Sequence, residues 1–219
     1  MSTTESKWGA ARYGKSLHND GYVTFYDFGI MQPRYVLQEI SRAEHEIDYS
    51  RINNFREDDR VPEHCRQQLD HYTGSGYDRG HLAPSADLRT QYENSASFLL
   101  SNMSPQLPQF NRVVWSQLEK SIREKAIDQH RAWCMSGPLW YPNHNIDCLT
   151  ADSLRPVPIP NAYFKSSVFE SESGRIFGEH YIVDHTENAE PEPVSLERLE
   201  WVSGLQLWTS VESREKISG

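Results

Sequence analysis

Residues 77–87 read YDRGHLAPSAD. An arginine and a histidine flank one glycine, with an aspartate on the near side and a short apolar step beyond. His81 has an ordinary pKa of about 6.5 and accepts a proton near neutrality. Arg79 presents a planar cationic fork that matches phosphate oxygens. Gly80 removes a side chain between them, so backbone or substrate can come close. Asp78 either orients a neighbouring group by hydrogen bonding or caps the turn. A base, a cation and a site of close approach are what phosphodiester hydrolysis requires. The same four residues are also compatible with a charged surface turn, so the rest of the chain has to decide.

Composition limits the alternatives. At 219 residues with 37% hydrophobic and 11% aromatic content, the chain suits one domain with a real core. No run approaches the roughly 18 apolar residues of a membrane-spanning helix. The N-terminal MSTTESKWGAARYGKS lacks the apolar core of a secretory signal, which leads to the expectation of a cytoplasmic or organellar protein with no membrane partner. Three cysteines without metal-like spacing argue for a reducing compartment. Cys134, in the apolar run AWCMSGPLW, reads as a buried thiol, and one disulfide among the three stays open. The net charge of −9 works against bulk attraction to nucleic acid, so any such role must rest on a local basic face. Arg51, Arg56, Arg60, Arg66, Arg79 and Arg89 supply a candidate face, while acidic residues gather in 170–173 and 187–200.

Patterning gives a mixed chain. Residues 1–20 read as a polar arm. YVTFYDF (22–28) and RYVLQEIS (34–41) read as a hairpin around Gly29 and Pro33. Residues 51–76 form a long charged loop with a short helical turn near 62–69, and loops of that length are usually functional or disordered. Residues 89–100 suggest a helix, and SPQLPQ (104–109) a break in regular structure. Residues 111–129 give the clearest helix, with Val114, Leu118, Ile122 and Ala126 at helical spacing. RAWCMSGPLW (131–140) reads as a central strand, and 162–171 with 175–184 as a second hairpin. A closing helix runs from Ser195 as N-cap to Gly204. The expectation is one α+β domain with a mainly antiparallel central sheet flanked by helices. His180 and His185 read as strand-end residues, and His144 with Asp147 as part of a polar loop.

The stretch around DRGH resembles the DNA/RNA non-specific endonuclease family, the ββα-metal (His-Me finger) nucleases, and within it the endonuclease G branch. Gly74–Tyr77 and Asp78–His81 match the family's G-S-G-Y/F and DRGH, and HLAPSAD follows as it does there. SNMSPQ (101–106), FNRVVWSQLE (110–119) and RINNFREDD (51–59) match further motifs in the family's order; CMSGPLW, IPNAYFK and SGLQLW match weaker ones. The likeness spans about Tyr13 to Trp208.

The resemblance implies a metal-dependent endonuclease that hydrolyses DNA and RNA with little sequence or sugar preference and leaves 5′-phosphate and 3′-hydroxyl ends. It casts His81 as general base and Asn111 as the single protein ligand to Mg²⁺, with Mn²⁺ as a substitute. Glu119 would hold a metal-bound water, Asn102 would support the histidine or its water, and Arg79 and Arg51 would stabilise phosphate charge. An amide oxygen is a hard donor acceptable to Mg²⁺, which keeps several waters, and this accounts for the lack of an acidic cluster. In a regular α-helix Asn111 and Glu119 would sit about 80° and about 12 Å apart, which favours a water-mediated role for Glu119.

By position alone Asn111 also suits an N-cap, Glu119 a solvated helix charge, Asn102 a turn, and Arg51 a surface charge with Arg56 as competitor. The alternatives of a nucleic-acid-binding module with suppressed catalysis, or a toxin nuclease held by an immunity partner, stay open. So do a homodimer and an inhibitor protein.

Overall fold

The computed structural model describes residues 14–42, 53–142, 144–151 and 154–209. Among the described residues eleven strands run in chain order: β1 (Gly14–Asn19), β2 (Tyr22–Asp27), β3 (Gln32–Ser41), β4 (Asp78–His81), β5 (Met103–Gln106), β6 (His130–Leu139), β7 (Cys148–Leu149), β8 (Val157–Pro158), β9 (Ala162–Ser171), β10 (Ile176–Asp184) and β11 (Glu192–Pro193). The described residues also form three α-helices, α1 (Gln91–Ser97), α2 (Ser116–Gln129) and α3 (Leu196–Ser203). A seven-stranded sheet has the order β1-β2-β3-β6-β9-β10-β11 with every pairing antiparallel, so the class expected from the sequence is the class observed.

Strand character follows burial. β2 alternates inward Tyr22, Thr24 and Tyr26 with more exposed neighbours, the period-2 pattern of a half-buried strand. β6 lies fourth of seven, and β9 beside it is buried on both faces over Ala162–Phe169, as befits strands covered on two sides. One face carries Tyr163 and Phe169 into a core with Trp115, Leu118, Ile122 and Ala126 of the long helix. The other carries Ala162 and Phe164 into a second core with Leu196 and Leu199 of α3. Adjacent residues of one strand therefore feed opposite layers. α3 is capped as its sequence indicates: Ser195 Oγ accepts from Arg198 N, and Gly204 takes the left-handed conformation at φ 66°.

Three expectations need correction. Residues 14–19 of the supposed arm form the edge strand β1, because each pairs with β2 in continuous register from Gly14↔Asp27 to Asn19↔Tyr22. Residues 103–106 are a strand, not a break: β5 pairs only with β4, and in a two-strand ribbon Pro105 sits where its missing N–H costs no second ladder. DRGH is likewise the strand β4 rather than a surface turn, with Asp78↔Gln106 and His81↔Met103 in register. The ribbon is fastened to the sheet by Tyr163, whose hydroxyl donates to Pro105 O at 2.5 Å and shares a 2.9 Å hydrogen bond with Ser104 Oγ. Just before it, Gly74 and Gly76 both have positive φ (69° and 82°), which gives the TGSG turn its tight entry into β4. Ribbon and following helix make a ββα unit on the α2 side of the sheet.

Candidate active site

Asp78 joins the two halves of this unit. Its Oδ2 accepts from Asn111 Nδ2 at 2.9 Å and from Arg112 Nε at 2.8 Å, and its Oδ1 accepts from Arg112 Nη2 at 2.7 Å. Asp78 thus hydrogen-bonds two residues of the following helix rather than its own turn. With Nδ2 committed, the Asn111 amide has one oxygen left, and among the described residues none donates to it. Asn111 is not an N-cap either, since its own N–H already bonds Leu107 O at 2.9 Å.

The helix itself is locally altered. Phe110–Trp115 is π-helical, running without interruption into α2. Bonds of i→i+5 turn the chain less per residue than α-helical ones, and such insertions cluster at functional sites. The winding therefore reduces the angular offset expected between Asn111 and Glu119, and both line one cleft of about 690 Å³ with His81, Arg79 and Asp78.

His81 is held from three sides. Its ring meets Phe98 edge-on at 4.9 Å and Phe55 at 5.7 Å, and its carbonyl accepts from Trp115 Nε1 at 3.3 Å. The Arg79 guanidinium lies over the Phe55 ring at 4.4 Å, a cation–π contact that keeps the fork in the cleft. Glu119 is pushed up from its ordinary 4.5 to about 7, chiefly by burial, with Lys165 and Arg123 pulling it down and Asp87 pushing it further up.

Two residues act differently from expectation. Asn102 is fully buried and does not line the cleft. Its Oδ1 accepts from Ala83 N at 2.9 Å, and its Nδ2 donates to Ala83 O at 3.0 Å and Ser97 O at 2.9 Å. Any support for His81 therefore runs through the main chain two residues on. Gly80 does not make room for substrate: a Cβ there would lie 2.2 Å from Gln106 Cδ, so the buried strand-mate requires the glycine. Arg51 lies outside the described residues. Its competitor Arg56 is structural, donating to Ser95 O at 2.8 Å, and Arg60 and Arg66 are spent on Asp58 and Asp59.

The cations that do face the cleft, besides Arg79, come from the helix: Arg112, Lys120 and Arg123, with Ser116 between them. Arg123 is aimed by the buried Asp87, itself held by Gln38 Nε2 at 2.6 Å. The sequence signal was present, because positions 112, 116, 119/120 and 123 recur at helical spacing opposite the apolar stripe. The charges were visible, but which face they would share with DRGH was not.

His180 and His185 are structural. His180 bonds Ser166 Oγ at 2.7 Å and is lowered to about 4 by burial. His185 accepts from Leu107 N at 2.8 Å and bonds Pro160 O at 2.9 Å. Cys65 and Cys134 are buried free thiols and Cys148 is an exposed one.

The family model of the DNA/RNA non-specific endonucleases matches residues 8–214. The chain belongs to this family. Among relatives of these non-specific endonucleases, human mitochondrial endonuclease G is 29% identical over 221 residues, covering 95% of this chain and 74% of that protein. The mitochondrial nuclease 1 of Schizosaccharomyces pombe is 32% identical over 162 residues, 69% of this chain and 50% of its own. In fold, the chain is similar to the crystal structure of an EndoG/EndoGI complex, at TM-score 0.84 and 24% identity, covering 96% of this chain and 92% of that one. The expected ββα-metal fold is thus the observed one, and the chain is a DNA/RNA nuclease by family.

Proposed function

We propose that this chain is a metal-dependent endonuclease that hydrolyses phosphodiester bonds in DNA and RNA with little sequence or sugar preference, leaving 5′-phosphate and 3′-hydroxyl ends. The observation that carries the reading is the Asp78–Asn111 clamp beside His81. It sets Asn111, whose amide oxygen is left over from the clamp, in the same cleft as the imidazole. Among the described residues no group of three His, Cys, Asp or Glu could hold a cation. A neutral oxygen donor completed by water suits Mg²⁺, with Mn²⁺ as substitute, and Asn111 Oδ1 fits it. A cation there would supply Lewis-acid charge to a phosphoryl oxygen and the departing 3′ oxygen.

The chain's own groups supply the rest. His81 takes the proton of the attacking water, its ring packed against Phe55 and Phe98. Arg79 neutralises charge on the phosphate, and Arg51 is proposed to assist it. Glu119, when ionised, accepts hydrogen bonds from water near Asn111. Arg112, Lys120 and Arg123 meet neighbouring phosphates, and contacts to backbone rather than base edges give little sequence preference. A basic cleft in a −9 chain also suits closure by an acidic inhibitor or immunity protein, and the structural relative was solved as an EndoG/EndoGI inhibition complex. The mitochondrial names of several relatives favour an organellar setting.

Nicking of supercoiled plasmid and cleavage of RNA, with Mg²⁺ and with EDTA, test the reading. Cleavage only with metal, abolished in folded His81→Ala, is expected. A metal-replete protein that cuts neither substrate sinks it.

A further inference from the structure

The active cleft has a neighbour of opposite character. The cleft gathers Arg79, Arg112, Lys120 and Arg123. A second cavity, of about 330 Å³, shares the Tyr77 wall with it. Among the described residues that line this second cavity there is no lysine or arginine. Instead it gathers the rings of Tyr77, Tyr141 and His144 and the carboxylates of Asp147 and Asp184. Its walls are fastened. The Tyr141 N–H donates to Asn161 Oδ1 at 3.0 Å and its hydroxyl to Asp184 Oδ1 at 2.8 Å, while the Ile159 N–H holds the Asp147 carbonyl at 2.7 Å. His185 lines the cavity with both ring nitrogens already bonded, 6.1 Å from the Tyr77 ring. The Leu107 N–H that His185 accepts belongs to the residue whose carbonyl accepts from Asn111 N at 2.9 Å. The two cavities are therefore joined at Tyr77 and again at the turn that carries Asn111.

The lining selects its occupant. Among the described residues no group of three His, Cys, Asp or Glu could hold a metal ion, so the two acids do not make a cation site. A phosphate would meet two like charges there. A nucleobase meets what it needs. Its face stacks on aromatic rings, and its exocyclic amine donates to a carboxylate, as the cytosine amine does to Asp or Glu. The volume lies within the roughly 300–1,000 Å³ of small-ligand sites. A nucleotide carries an anionic phosphate at one end and an amine-bearing base at the other. The two cavities offer cations on one side of Tyr77 and acceptors on the other.

We infer that the cavity lined by Tyr77, Tyr141, Asp147 and Asp184 is a base subsite. It takes the nucleobase beside the phosphate held in the cleft, and through its two carboxylates it favours adenine, cytosine or guanine over thymine or uracil, which have no exocyclic amine. The inference rests on the nuclease reading and deepens it. Backbone contacts allow cutting at any sequence, and the subsite adds a bias at one position beside the cut. Both carboxylates are exposed, so the bias sits at the low end of base discrimination, about three- to tenfold.

The test measures binding by fluorescence anisotropy at low salt in EDTA, so that no cutting is needed. The probes are a fluorescein-labelled deoxyadenosine tetranucleotide and the same chain with purine in place of adenine, which removes only the exocyclic amine. The wild type is expected to bind the adenine probe about three- to tenfold more tightly. In Asp147→Ala/Asp184→Asn, which keeps an acceptor for the Tyr141 hydroxyl, the two affinities become equal. A second arm sequences the ends left by brief plasmid digestion. Thymine is depleted by a similar factor at one position beside the wild-type cut, and the double variant loses that depletion while its total nicking rate changes little. Equal affinity of the wild type for the two probes, or binding of neither, overturns the inference. So does an amine preference that survives in the double variant. Should that variant not fold, Asp147→Ala alone takes its place, with the preference reduced. If the wild type cuts no substrate, the nuclease reading fails, while the binding arm still decides whether the cavity holds a base.

Discussion

Asp78→Ala is the sharpest test of how the cleft is built. The carboxylate holds the Asn111 amide at 2.9 Å and the Arg112 fork at 2.8 and 2.7 Å. The Arg112 side chain is 68% exposed, so solvent screens that pair and the substitution acts mainly through Asn111. A hydrogen bond to a charged acceptor contributes about 1.5–3 kcal/mol. At about 1.4 kcal/mol per factor of ten, losing it releases a bias of roughly ten- to a hundredfold toward the orientation with Oδ1 in the cleft. Groups that orient metal ligands typically cost about 10–100-fold in affinity when removed, so the two estimates agree. The expected result is a half-saturating Mg²⁺ concentration raised about 10–100-fold, with much of the rate regained at saturating metal. Asp78→Asn, which keeps an acceptor but not the charge, should fall between it and wild type. The assay is initial-rate plasmid nicking across a Mg²⁺ series, with Mn²⁺ binding followed by electron paramagnetic resonance. An unchanged metal dependence in Asp78→Ala would refute the view that this bond sets the amide.

Further outcomes follow from the same geometry. Glu119 is held near 7 in the fold against an ordinary 4.5, so the folded state binds its proton more tightly than the unfolded chain. Stability from this group is present below about pH 4.5 and lost as pH rises through about 7, to a total of about 3 kcal/mol, while cleavage declines as pH falls below about 7. Glu119→Gln should therefore stop cleavage yet melt several degrees higher than wild type at pH 8, with the gap closing near pH 5; equal gaps at both pH values would count against it. Gly80→Ala places a Cβ 2.2 Å from Gln106 Cδ in a packed ribbon, so calorimetry should show a loss of about 1–3 kcal/mol. A wild-type melting curve would show that Gln106 yields freely. Arg112→Ala should lower the slope of log affinity against log salt by about 0.9, as for one lost phosphate contact, and an unchanged slope would remove Arg112 from the substrate path.

Much of the architecture was legible because its signals are local. Alternation in Tyr22–Asp27, the apolar stripe of Leu118, Ile122 and Ala126, and the Ser195 and Gly204 caps each depend on neighbours within a turn or a strand pair. β4 and β5 were not legible. Each has four residues, one contains proline and the other glycine, and they exist as strands because each is the other's only partner. The basic face went wrong for a related reason: Arg56, Arg60 and Arg66 are close to the motif in sequence, but local carbonyls and carboxylates consume them.

The sequence by itself determined the chemical inventory: an imidazole, a guanidinium, an amide and a carboxylate in ordered motifs, with a helix period that fixes Asn111 and Glu119 on one element. Tertiary structure decided what each of them does. Asp78 became a clamp because the β4–β5 ribbon places it beside the π-helical turn, and Gly80 is favoured because Gln106 fills the space behind it. Glu119 gained its altered proton affinity because burial beside the sheet removes water from it, which outweighs the opposing pull of Lys165 and Arg123. Side-chain identity is written along the chain, whereas hydrogen-bond partners, burial and field are properties of residues brought together from distant parts of it.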